Sequence, residues 1–118
     1  MKVRPVLSII IVSYNVASFI DDCLTSILAD KNLDFNGNPK NSKTPAELII
    51  VDNHSTDTSV AVIKKFLNRI KILNSRFLIL DSNLGFAQAN NLAAKQAKGN
   101  YFLFLNPDTV VLHSAISQ

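Results

Sequence analysis

Gly99 to Val111 reads GNYFLFLNPDTVV, and the interpretation of the whole chain turns on it. Its apolar run, Tyr101 to Leu105, passes straight into Asn106, Pro107 and Asp108, the pattern of a strand buried on both faces that stops abruptly and presents a carboxylate. Proline has no amide to donate and restricts the residue before it to extended conformations, so Pro107 ends regular pairing and fixes where Asp108 points. Asn, Pro and Asp also favour ordinary turns, so taken alone the stretch reads as punctuation as readily as a site.

Upstream, Leu7 to Tyr14 (LSIIIVSY) is rich in β-branched residues and almost continuously apolar, which predicts a central strand covered on both sides. Val16, Ile20, Cys23, Leu24, Ile27 and Leu28 then recur as the stripe of an amphipathic helix, with Asp21 and Asp22 in its positively polarised early part and Asn15 or Ser18 as its cap. Lys31 to Ala46 (KNLDFNGNPKNSKTPA) has no period and only Leu33 and Phe35 as apolar anchors, so 31–46 reads as a surface-loop insertion. Glu47 to Val51 resumes the strand pattern. Thr56 or Asp57 caps the helix that follows, whose inner face carries Val60, Ile63, Leu67 and Ile70, leaving Lys64 and Lys65 solvated. Phe77 to Leu80 is a third strand. After Gly85 comes an alanine-rich helix, FAQANNLAAKQAK, with Gly99 placed to end it. Val110 to Leu112 would extend the last strand, and His113 to Gln118 would open another helix. Strand and helix alternate, which predicts an α/β fold: a Rossmann-like three-layer α/β/α arrangement of a mainly parallel sheet with right-handed crossovers.

Composition narrows the function. At 118 residues, 47% hydrophobic and 18% charged, the chain makes one globular domain over 1–118 and is short for an enzyme that must hold two substrates. A net charge of +3 and a pI near 9.2 suit an anionic ligand, but the Lys and Arg residues are scattered without interleaved aromatics, so nucleic acid is not an expected partner. Cys23, the lone cysteine, reads as a buried thiol. The apolar run Ile9 to Val12 is too short for a signal segment or a membrane span, and a soluble, cytoplasmic domain is expected.

In a parallel sheet the ligand crevice lies outside the carboxyl ends of the strands. Each predicted strand leaves a polar residue there: Ser13 and Asn15, then Asp52 and Asn53, then Asp81 and Asn83, then Asn106 and Asp108. Turn chemistry explains any one of these; together on one rim they favour a ligand site. No Walker loop and no GxGxxG follows the first strand, so P-loop hydrolysis and dinucleotide binding lose their support. Carboxylates serve two other tasks: accepting hydrogen bonds from ribose or a base N–H, which suits Asp52, and holding a hard cation, Mg²⁺ or Mn²⁺, that bridges a diphosphate, which suits Asp108.

The blocks LSIIIVSYN, ELIIVDNHSTDTS, NLGFAQANN and AKGNYFLFLNPDT, from Val6 to Leu112, resemble the nucleotide-binding half of family 2 glycosyltransferases of the GT-A fold. The resemblance implies inverting transfer of a hexosyl group from a nucleotide diphosphate sugar donor to a saccharide or lipid-linked saccharide acceptor, assisted by a divalent metal. It implies that Ser13, Tyr14 and Asn15 line the nucleotide pocket and that Asp52 contacts the donor base. It also implies that Asn53, Asn83, Gly85, Phe86, Asn90 and Asn106 bind the nucleotide and that Asp108 holds the metal, in the place of a DxD motif. Asn106 replaces the first Asp of that motif, and the NPDT form resembles the rhamnosyltransferase-like branch. His54 and Thr58 stand where small residues are usual, and Ala93 where Gly is frequent; His54 and His113 read as loop histidines. The catalytic base is expected downstream of this chain, in the acceptor-binding half, so transfer by this piece alone is expected to be negligible. For a full-length protein the resemblance allows peripheral association with the inner face of a membrane and a homo-oligomer. The rival readings are a non-catalytic nucleotide-binding domain and a receiver-type signalling module, which also gathers aspartates at strand ends. A receiver pairs two acids after its first strand, where this chain has Ser13-Tyr14-Asn15, and no lysine follows Asp108.

Overall fold

The computed structural model describes residues 4–38, 42–111 and 116. They form β1 (Leu7–Ser13), α1 (Ile20–Leu28), β2 (Leu33–Asp34), β3 (Thr44–Asp52), α2 (Ser59–Ile70), β4 (Ser75–Ile79), α3 (Phe86–Gln96) and β5 (Tyr101–Leu105). Every strand pair is parallel. β1 lies between β3 and β5, and the far edge of β3 is shared by β2 at its start and β4 along its second half.

The near-continuous apolar character of β1 and β3 follows from cover on both faces. Ile9, Ile11, Leu48 and Ile50 point to one side, where Ile20, Leu24 and Ile27 of α1 and Ile63 and Phe66 of α2 pack on them. The alternate residues Ile10, Ile49 and Val51 meet Ala89 and Ala93 of α3 on the other side. The sheet therefore sits between α1 and α2 on one face and α3 on the other, the three-layer arrangement that the alternation predicts. The order β4-β3-β1-β5 reverses direction between β1 and β5, which makes the carboxyl ends of these two strands the place for a crevice. Among the described residues no helix is long and apolar enough to cross a membrane.

Several elements differ from the sequence reading. β5 is not buried on both faces: Tyr101, Phe102 and Phe104 are 69%, 43% and 49% exposed, because α3 packs over β1 and β3 rather than over β5, whose other edge also has no described strand. The pattern of apolar letters records what the side chains are, not what covers them. The segment 31–46 is less of a loop than its polar composition predicts. It contributes β2 and the start of β3, and it buries Leu33, Asp34 and Phe35 at the sheet edge. α1 begins at Ile20 with Phe19 at its cap position and no side-chain cap, so neither Asn15 nor Ser18 serves there. In α2 the buried face is Ser59, Ile63 and Phe66, while Ile70 is exposed. Residue 112, part of the anticipated strand extension, and 113–115, 117 and 118 of the anticipated last helix lie outside the described residues.

Gly99 also has a different task from the helix ending assigned to it, since α3 stops at Gln96. At the amino end of the sheet the Ser8 hydroxyl donates to Glu47 Oε2 at 2.6 Å, and the Lys98 amide donates to the same oxygen at 2.6 Å. The Gly99 amide donates to Ser8 Oγ at 2.9 Å. This brings the chain so close to β1 that a Cβ at 99 would lie 2.6 Å from Ser8 Oγ and 2.7 Å from the Ser8 nitrogen. Gly99→Ala should therefore destabilise the domain by about 1–3 kcal/mol, the cost of overpacking a filled site. The check is the urea midpoint, and an unchanged midpoint would mean that the backbone yields there freely.

Candidate functional site

The carboxyl ends of β1 and β3 are joined before any ligand is considered. Ser13 and Asp52 are register partners, and Asp52 is fully buried. Its Oδ1 accepts from Ser13 Oγ at 3.2 Å and from Ser55 Oγ at 2.6 Å, and its Oδ2 accepts from the Ser55 amide at 2.8 Å. A buried carboxylate needs such donors, because an unpaired one costs far more than the bonds are worth. The Asn53 amide adds a bond to the Ser13 carbonyl at 2.8 Å.

Just beyond, Asn15 takes a left-handed conformation (φ 50°) that Asn tolerates better than most residues. Its carboxamide oxygen accepts from the Thr56 amide at 2.8 Å and the Asp57 amide at 3.3 Å, while its own amide donates to Ser55 Oγ at 3.0 Å. The Val16 amide donates to Ser59 Oγ at 2.9 Å, and the Ala17 amide to Asp57 Oδ2 at 3.3 Å. The loops after β1 and β3 thus form one hydrogen-bonded unit. Bonds from the Ser59 hydroxyl first, and then from the Ser59 and Ala17 amides, hold the Asp57 carboxyl below its ordinary value.

Against this unit lies a cavity of about 390 Å³ lined by Val12, Tyr14, Asn53, Asn83, Phe86, Asn106 and Pro107. It opens at the carboxyl ends of β1 and β5, where the strand order reverses. Tyr14 and Phe86 give it exposed aromatic surface. Asn53 Oδ1 accepts from the Leu84 amide at 2.9 Å and Asn83 Oδ1 from the Gly85 amide at 2.8 Å, which ties the approach to α3 onto the end of β3. Gly85, at φ 82°, supplies the turn into α3 that an L side chain would strain.

The turn after β5 closes with the Thr109 amide donating to the Asn106 carbonyl at 3.1 Å. The Val111 amide donates to Ser26 Oγ at 2.9 Å, and Cys23 Sγ lies 3.9 Å from the Asn106 carbonyl oxygen, so the turn leans on α1. Burial, and then the negative charge of Asp108, push the Cys23 thiol up to about 11, which keeps it protonated at neutral pH. Asp108 itself is exposed. Among the described residues no group of three or more His, Cys, Asp or Glu side chains could hold a metal ion. A single exposed carboxylate fits a hard cation that takes its remaining ligands from phosphate oxygens and water, as Mg²⁺ and Mn²⁺ do.

Of the residues singled out from the sequence, Tyr14, Asn53, Asn83, Phe86 and Asn106 line one cavity. Ser13, Asn15 and Asp52 do not line it; they build the loop unit beside it. In this conformation the Asp52 carboxylate is buried and both of its oxygens accept bonds within the loop unit rather than facing the cavity. Gly85 shapes the turn, half-buried Asn90 lies on α3 away from the lining, and Asp108 stands next to the lining residue Pro107. Val12 was missed, and Pro107, read from the sequence as the end of the strand, also lines the cavity. Val12 shares the face of Ile10 and Tyr14 by period two, so the alternation along β1 held the signal.

The family model described as glycosyl transferase family 2 matches residues 8–118. The chain belongs to glycosyl transferase family 2. That sets aside the receiver-type reading. The teichoic acid poly(glycerol phosphate) polymerase of Staphylococcus epidermidis is 35% identical over 111 residues, 94% of this chain but 14% of that protein. The poly(ribitol-phosphate) β-N-acetylglucosaminyltransferase TarS of Staphylococcus aureus is 30% identical over 105 residues, 88% of this chain and 16% of its own length. The chain therefore spans about a sixth or less of these relatives. Among solved structures, S. aureus TarS 1–349 in complex with UDP superposes with a TM-score of 0.64 at 30% identity, covering 92% of this chain and 28% of that one. The mannosyltransferase PcManGT of Pyrobaculum calidifontis reaches a TM-score of 0.76 at 22% identity over 95% of this chain and 30% of its own, which shows a shared GT-A fold.

Two measurements check the loop unit. Asp52→Asn removes a charged acceptor from three bonds and should cost about 1–3 kcal/mol in chemical denaturation, with faster amide exchange in residues 53–57. Because the Asp57 carboxyl is held below its ordinary 3.8, its charged form stabilises the folded state above that pH, and the contribution is lost as pH falls through the lowered value. Asp57→Asn should flatten that acid limb of the stability curve.

Proposed function

We propose that this domain binds the donor of a glycosyl transfer, a nucleotide diphosphate sugar, in the cavity at the ends of β1 and β5. The observation that carries the reading is the convergence of Tyr14, Phe86 and the carboxamide side chains of Asn53, Asn83 and Asn106 on one cavity, in a chain of this family. Tyr14 and Phe86 offer aromatic surface on which a base can stack, and the carboxamides offer polar contacts to its edge and to ribose. The diphosphate then runs past Asn106 and Pro107 towards Asp108. UDP in the related TarS structure supports a nucleoside diphosphate as the class of ligand.

Asp108 would hold the divalent ion, with Asn106 beside it contributing a neutral oxygen in place of a second carboxylate. A cation held there offsets charge on the departing diphosphate and orients it. Asp52 acts through the loop unit: it fixes Ser55 and, with Asn15, the wall that Asn53 and Tyr14 belong to. The transfer we infer is a single inverting displacement of a hexosyl group, with the acceptor hydroxyl deprotonated by a carboxylate outside this chain. The relatives named for poly(glycerol phosphate) and poly(ribitol phosphate) support a phosphate-linked polymer as the acceptor class.

Calorimetry with UDP, dTDP and GDP, each with and without Mn²⁺ or Mg²⁺, tests the donor site. One of these nucleotides should bind more tightly with metal, and the domain alone should show negligible transfer. Asp108→Ala should abolish the metal enhancement while leaving metal-free binding in place, and Phe86→Ala should weaken binding by about 1–3 kcal/mol through lost stacking. Failure of all three nucleotides to bind would overturn the reading.

A further inference from the structure

A second cavity lies at the other end of the sheet. It measures about 380 Å³ and is formed where the chain enters β1, β4 and β5, on the α3 side. Arg4, Arg76 and Lys98 line it, with Glu47 and Asn74 in its wall. The strands run the length of the domain between this cavity and the donor cavity, so no one ligand group reaches both.

The charges here are unbalanced. Among the described residues, none of the three cations has a carboxylate within ion-pair distance; the ion pair present, Arg69 with Asp21 at 3.7 Å, lies between α2 and α1. Glu47 is 4% exposed, its Oε2 accepts from the Ser8 hydroxyl and the Lys98 amide, and its single negative charge in the wall leaves the three cations in excess. Arg4 spends its Nε on the Lys98 carbonyl at 3.2 Å, and Arg76 spends one Nη1 contact on Gln96 Oε1 at 3.4 Å. Each guanidinium carries five N–H donors, so among the described residues most are unspent, and the Lys98 ammonium has no hydrogen bond to a described residue. The side-chain nitrogen of Asn74 is a further buried donor with no acceptor. Partial negative charge at the carboxyl end of α3 accounts for one cation near Gln96, but not for two guanidinium groups and an ammonium around one hollow.

We propose that this hollow is an anion site that takes a phosphate group, with Arg4 and Arg76 as forked donors and Lys98 as a point charge. Guanidinium forks match the spacing of phosphate oxygens, and an ammonium adds attraction without demanding geometry. The phosphate comes either from a soluble phosphate ester or from an anionic lipid headgroup. The site is independent of the donor cavity and stands or falls separately from it.

The test holds the donor cavity filled with excess UDP and diamagnetic Mg²⁺, then titrates glycerol 1-phosphate while following backbone amide shifts. The shifts should move at Arg76, Lys98 and Gly99, and the affinity should fall as salt is raised. Arg4→Gln with Arg76→Gln should weaken glycerol phosphate binding by roughly tenfold or more, with UDP affinity unchanged. Lys98→Gln alone, which keeps the backbone bond to Glu47, gives a milder second variant if the double one folds poorly. In the vesicle arm, retention on phosphatidylglycerol but not phosphatidylcholine, without binding of the free ester, identifies the lipid source; binding of the free ester identifies the soluble one. Absence of binding in both arms, or binding that the variants leave unchanged, overturns the proposal.

Discussion

The register between β1 and β3 is the constraint on which the rest depends. Ser8 faces Glu47 and Ser13 faces Asp52 directly across the pair, and in each case the hydroxyl donates to the carboxylate, at 2.6 and 3.2 Å. One pair lies on the α3 side and the other on the α1 and α2 side. A slip of one residue would turn every side chain of the strand to the opposite face and strand two buried carboxylates among isoleucines. Apolar runs such as LSIIIV and LIIV specify register only weakly, because most of their side chains are interchangeable. The serine and carboxylate pairs supply what the apolar residues cannot. Each pair then organises what lies beyond its end of the sheet: Asp52 the loop unit beside the donor cavity, Glu47 the backbone of Lys98 and Gly99 beside the basic hollow.

What the sequence disclosed followed from this same division. Burial on both faces writes itself as an unbroken apolar run, so β1 and β3 were readable, and the spacing of Ile20, Cys23, Leu24 and Ile27 gave α1. The cavity was half readable, because Asn53, Asn83 and Asn106 stand at strand exits where parallel sheets place their ligands. Partnership across long separations was not. Asp52 reads as a free rim carboxylate until Ser13, 39 residues away, and Ser55 are placed on it. Asn15 reads as a helix cap until its carboxamide meets Thr56 and Asp57. Gly99 reads as a helix terminator because glycine favours that place, and only the distance to Ser8 shows that space, rather than chain direction, demands it.

The two sides of the donor cavity are held to different degrees. Tyr14 and Asn53 stand on the β1 and β3 unit, where nearly every polar group has a short partner. Asn106, Pro107 and Asp108 follow β5, which among the described residues is an edge strand whose Phe102 and Phe104 are half exposed and touch each other edge to face at 6.5 Å. Beyond its pairing with β1, the turn after β5 is held to α1 by the Ser26 bond and by a thiol contact of 3.9 Å. An uncovered edge with exposed aromatic side chains is adhesive and loses order more readily than a strand paired on both sides. In the donor reading, base contacts then form on a rigid wall, while contacts around Asp108 vary with whatever covers β5. Asn106 in place of a carboxylate sharpens that dependence. With one charged ligand instead of two, attraction for a cation rests on Asp108 alone, and any movement of β5 shifts the single group that holds it.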